Sequence, residues 1–153
     1  NLYDKKTLSL KEISTLTNLS ENYSAAELVD ASLCKNIKKT CEILDENNYS
    51  HDDIFFIIRV FLQKTKRVLN LLEIIKYEKD IEKVFSQQKP PIFWKDKPVL
   101  KKQLTLWTYK NMSDLVCKLN DIEIKIKRNN PLSVILMKNF VYEILNQQTS
   151  NSS

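Results

Sequence analysis

The 153-residue chain contains no glycine, four prolines, three cysteines and a single histidine. Without glycine, neither the left-handed turns of tight hairpins nor a loop that brings backbone amides against phosphate has a residue that fits at no steric cost. A sheet protein built on two-residue hairpins and a P-loop nucleotide site are excluded on that ground. Cys34, Cys41 and Cys117 are odd in number and widely spaced, and none has a partner at a metal-ligand interval. They read as reduced core thiols, and cytoplasmic is the expected compartment. A long uncharged apolar run is also missing, because Arg59, Lys64, Lys66 and Arg67 interrupt the longest candidate. No membrane span is therefore expected, and no stretch reads as a signal peptide. The chain starts at Asn1 rather than Met, and its first helix has little to pack on, so it is expected to be the C-terminal piece of something longer.

What the chain does have is lysine. The net charge is +5, yet 21 of the 24 basic residues are Lys, and Lys, Asn and Ile together supply 50 residues. That bias resembles coding composition more than selection for phosphate contacts, so a solvated lysine surface is expected.

The organising stretch is the apolar run from Ile54 to Tyr77. In steps of three and four it gives Ile54, Ile58, Phe61, Thr65, Val68, Leu72 and Ile75, the seam of a long packed helix. Phe55, Leu62 and Leu69 form a second line beside it, so neighbours must cover more than one side. Ser50 and Asp53 have capping-box spacing, and at ~1.5 Å per residue the rod spans roughly 40 Å.

Around it the spacing predicts shorter helices. Ser9 with Glu12 caps one through about Thr17, Asn18 to Asn22 is a loop, and Ser24 with Glu27 opens the next, burying Leu28, Val29 and Leu33. A helix from about Asn36 is expected to bury Ile37, Cys41 and Leu44, and Asp80 to cap one carrying Ile81, Val84 and Phe85. Pro90 and Pro91 enforce an extended segment, with Phe93 and Trp94 as a plug. From Pro98 a helix runs to about Tyr109, and Ser113 opens another with Leu115, Val116, Leu119, Ile122 and Ile126 buried. The last helix follows Pro131 with Leu132, Ile135, Leu136, Phe140, Ile144 and Leu145, and residues 148–153 form a polar tail expected to be disordered. No stretch alternates long enough for a strand. The expected fold class is all-α, about six to seven helices around one long central helix.

For chemistry there is little to assemble. His51 sits beside Asp52 and Asp53 at a helix start and reads as a surface histidine near a cap; no catalytic, cofactor or metal residues are expected. Candidate contact or packing residues are Phe55, Phe56, Arg59, Lys66, Trp94 and Trp107. Lys95, Lys101 and Lys102 lie near the tryptophans and give an alternative, a basic helical module holding nucleic acid by stacking and phosphate neutralisation. The plainer reading is that the rings are core or interface anchors covered by lysine stems.

In order along the chain come the run Leu8 to Leu16, the Leu28-Val29-Asp30-Ala31 helix, the helix from Ile37 to Leu44 and the long helix with Arg59. Pro90 to Trp94, Leu104 to Trp107 and the Asn130-Pro131-Leu132 helix start follow. This succession of motifs resembles the delta subunit of the bacterial DNA polymerase III clamp loader. The chain departs from the family at Cys34-Lys35, where a glycine is often found. The resemblance implies that residues 1–22 end a lid-like small domain and that residues 23–147 form the helical C-terminal collar. It also implies a place in a five-subunit ring with delta prime and gamma or tau, with no cofactor. The sliding clamp would be reached only through an N-terminal domain, DNA only through the complex, and no membrane is involved.

Overall fold

The structure, a computed structural model, describes residues 25–147. The expected helix at Ser9 to Thr17, the Asn18 to Asn22 loop, the Ser24 cap and the tail at 148–153 lie outside the described residues. Within them the fold is all-α, with no strand. The elements are α1 (25–33), α2 (Ile37–Glu46), α3 (His51–Ile75), α4 (Ile81–Gln87), α5 (Lys97–Leu106), α6 (Tyr109–Arg128), a 3-10 turn (Asn130–Leu132) and α7 (Ser133–Asn146).

The central rod is α3, and its start follows the sequence signal. Ser50 Oγ accepts from the Asp53 amide at 3.2 Å, while the Asp53 carboxylate accepts from the Ser50 amide at 2.8 Å. This reciprocal box satisfies two amides that have no intrahelical partner, a contribution of about 1 kcal/mol. Ile54, Ile57, Ile58, Phe61, Thr65, Val68, Leu71 and Leu72 are buried. Phe55, Leu62 and Leu69 are half-buried at the edge of the same core. The remaining stripe, Phe56, Arg59, Gln63, Lys66 and Asn70, faces solvent.

Helix α6 packs along α3 in the opposite direction: Lys76 lies over the Tyr109 ring at one end of the pair, and Lys127 over the Phe55 ring at the other. Helix α7 closes another side, with the Phe61 and Phe140 rings edge to face at 5.4 Å. Helices α4 and α5 complete the cover. Helix α1 is held by a Lys64–Asp30 ion pair at 3.1 Å and by contacts from α5.

A left-handed residue ends α1 without glycine. Lys35 has φ 57°, its amide donates to the Ser32 carbonyl at 3.0 Å, and the Asn36 amide donates to Ala31 at 2.9 Å. This is the Schellman arrangement, built on a residue that incurs a steric cost there. Asn36 then caps α2 by accepting from the Lys39 amide. The turn falls at the Cys34-Lys35 departure noted in the sequence.

Several expectations are corrected. Helix α2 buries Thr40, Ile43 and Leu44, whereas Ile37 is 56 % exposed and Cys41 only half-buried. Thr40 is admissible inside because its hydroxyl donates to the Asn36 carbonyl at 2.7 Å. None of the three cysteines is in the core; Cys34 and Cys41 are half-buried and Cys117 is exposed. Helix α5 stops at Leu106, and α6 starts at Tyr109 rather than Ser113, because the Thr108 hydroxyl accepts from the Asn111 amide and caps it. Leu132 and Ile135 face solvent, and α7 instead buries Met137 and Val141 together with Phe140, Ile144 and Leu145.

Candidate interaction surface

The segment between α4 and α5 carries the most exposed tryptophan, and its backbone is tied at both ends. The Ile92 amide donates to the Phe85 carbonyl at 3.3 Å, and the Asp96 amide to the Phe93 carbonyl at 2.9 Å. The Gln88 side chain donates to the Val84 carbonyl at 3.3 Å, and the Lys89–Pro90 peptide is cis. Ile92 is the plug: it is buried beside Val84 and Phe85 of the core, whereas Phe93 and Trp94 are 55 % and 66 % exposed. The reading of the aromatic pair as a plug is thus corrected, since the inward position of this short segment is taken by Ile92. The two rings touch each other instead, centroids 5.8 Å apart and tilted by 49°, and Lys95 Nζ lies 5.4 Å from the Trp94 ring.

Charge around this knuckle is positive but partly neutralised. Lys101 and Lys97 both bond the Glu82 carboxylate, at 2.6 and 3.3 Å. Those two bonds, Lys101 first, hold the Glu82 carboxyl below its ordinary value of 4.5. Lys89, Lys95 and Lys102 enter no ion pair among the described residues.

Trp107 is the opposite case. It is 3 % exposed, and its indole N–H donates to the Leu33 carbonyl at 2.8 Å, satisfying one of the terminal carbonyls of α1. Lys35 Nζ lies 4.9 Å from the Trp107 ring and donates to the Gln147 carbonyl at the end of α7 at 2.8 Å. One tryptophan and one lysine thus join three chain segments, and burial pushes the Lys35 ammonium down from its ordinary value of 10.5. Apart from the departure at Cys34-Lys35, nothing in the residue pattern marks Lys35 as a joint between segments, because a left-handed lysine has no signature of its own.

The other candidates do not converge on either tryptophan. Phe55 is half-buried, with Arg59 and Lys127 at 5.7 and 5.6 Å from its ring. Phe56, Arg59 and Lys66 lie on the solvent face of α3. Phe55 belongs to the α3 end that meets Lys127, and Trp107 to the end that meets Tyr109, about 30 Å away at ~1.5 Å per helical residue. Lys101 is committed to Glu82, so Lys95, Lys101 and Lys102 do not act as one free set.

His51 packs against Phe55 at 6.3 Å, and its Nδ1 has no hydrogen-bond partner among the described residues. Burial raises the Cys34 thiol above its ordinary 9.0, which disfavours the nucleophilic thiolate. Among the described residues, no group of three or more His, Cys, Asp or Glu is placed to hold a metal ion. A depression of 480 Å³, lined by Lys118, Asn139, Tyr142, Glu143, Asn146 and Gln147, is open to solvent. No helix of the described residues is long and apolar enough to cross a membrane. No known protein family, curated protein or solved structure matches the chain.

Proposed function

We propose that the chain is a non-catalytic assembly domain, and specifically the C-terminal collar of a clamp-loader delta subunit. In this role it would hold delta in the pentameric loader, beside delta prime and gamma or tau, while the sliding clamp is placed on DNA. The particular family comes from the ordered motifs of the sequence. The general role is supported by one observation: a helical core that closes on itself while keeping two adjacent aromatic rings, Phe93 and Trp94, outside it. Large apolar side chains gathered in this way at a surface mark protein–protein contact. Mixing the purified chain with the other clamp-loader subunits and measuring mass in solution is the test. Co-assembly is expected, and a chain that stays alone at micromolar concentrations would contradict the proposal.

The second reading, a nucleic-acid-binding helical module, draws support from Lys95 over Trp94 and from Lys89 and Lys102, which enter no ion pair among the described residues. It requires binding that weakens steeply with salt and on changing Lys101 and Lys102 to Glu. The pairing of Lys97 and Lys101 with Glu82 counts against it, because those two charges are already compensated.

A further inference from the structure

We infer that the Phe93–Trp94 knuckle is a preformed knob that seats in an apolar pocket with an acidic rim on a neighbouring protein subunit. The inference rests on the assembly reading above and names the chemistry of the contact. Its first support is exposure. Phe93 and Trp94 are 55 % and 66 % exposed on a short segment between two helices, so both rings keep most of their apolar surface outside the core. An exposed aromatic pair is covered best by a partner that supplies an apolar cavity.

The second support is rigidity. Ile92 is sunk in the core, its amide is bonded to Phe85, and the Phe93 carbonyl accepts from Asp96. The knob is therefore held in place before it meets a partner, and little ordering is left to oppose docking.

The third is charge. From Lys89 to Lys102 the chain carries five lysines and one acid, Asp96, and Glu82 of α4 compensates Lys97 and Lys101. Lys89 and Lys95, the latter over the Trp94 ring, enter no ion pair among the described residues, so the pocket that accepts the rings is matched by carboxylates at its edge.

A nucleic-acid strand fits less well. Phe93 and Trp94 contact each other at 5.8 Å, which leaves no slot for a base between them, and Lys95 already lies over the Trp94 ring. A polypeptide partner takes up the pair as one body, with tryptophan in the position where contact energy concentrates.

The chain has two tryptophans, one exposed and one buried, which provides a direct readout. Acrylamide quenching of the isolated full chain should show one accessible and one shielded fluorophore, the accessible one vanishing in Trp94→Phe. With the other clamp-loader subunits added, co-assembly should shift the Trp94 emission to the blue and remove its quenching. Trp94→Ala should weaken association about 30-fold. Lys95→Glu should weaken it less, by an amount that shrinks as salt is raised.

Co-assembly with Trp94 still quenchable would overturn the knob while leaving the assembly reading intact. Absence of co-assembly would overturn both. Shielding of Trp94 in the isolated chain, or on adding a single-stranded oligonucleotide instead of the subunits, would also overturn the inference.

Discussion

The two tryptophans stand at the two ends of α5, in chemically similar lysine-rich sequence, and do different work. Trp107 lies under the surface, with its N–H on the Leu33 carbonyl and Lys35 over its ring. Trp94 lies outside, against Phe93, with Lys95 over its ring. A lysine above an indole is thus common to both and diagnostic of neither. The difference comes from the indole N–H and from which neighbour takes the inward position. At Trp107 the ring itself is inward and satisfies a helix end; at Trp94 that place is held by Ile92.

Truncation separates the two rings most clearly. Trp107→Ala should lower unfolding stability by about 3–5 kcal/mol, the range for removing a buried large aromatic, as read by urea denaturation. Equal loss in Trp94→Ala, which should stay within about 0.5 kcal/mol of wild type, would erase the distinction. A finer cut is Trp107→Phe. It keeps much of the packing but leaves the Leu33 carbonyl buried without a donor, and should destabilise by about 1–3 kcal/mol.

Lys35 sharpens the same end of α5. Lys35→Ala keeps a β-carbon at φ 57° and removes both the ring contact and the bond to Gln147. Lys35→Gly removes the same contacts but relieves the backbone, and should be more stable than Lys35→Ala by about 1 kcal/mol in thermal or urea unfolding. Two variants of equal stability would mean that the left-handed turn carries no strain.

The smallest effect belongs to Glu82, at the Trp94 end. Its folded carboxyl is depressed below 4.5 by bonds from Lys101 and Lys97, so its contribution is complete above that value. The contribution is lost as pH falls through the depressed folded value, where the unfolded state has already taken its proton. Because the group is exposed, the net contribution is small. Glu82→Gln should make the acid limb of a stability–pH curve slightly shallower, and an unchanged limb would show that the two lysine contacts are not populated.

The sequence made the central helix legible because seven positions at helical spacing, with Ser50 and Asp53 before them, admit one reading. It was weaker where two helices abut. Trp107 sits at the spacing of Leu100 and Leu104, so periodicity runs straight through a break that the Thr108 hydroxyl decides. Periodicity also placed Ile37, Leu132 and Ile135 inward, where the short length or terminal position of their helices let them turn out. For the candidate surface, the residue types were visible in the sequence, but the exchange of Ile92 for Phe93 and Trp94 was not. Three apolar residues after two prolines have no period to distinguish them.

The most direct test of separate roles for the two rings takes one variant, Trp94→Ala, through paired measurements: its urea midpoint, and its mass when mixed with the delta prime and gamma or tau subunits proposed as its partners. The account predicts a midpoint unchanged from wild type together with failure to enter the complex at concentrations where the parent chain enters. Entry at the parental level, or a midpoint lowered as far as that of Trp107→Ala, would contradict it.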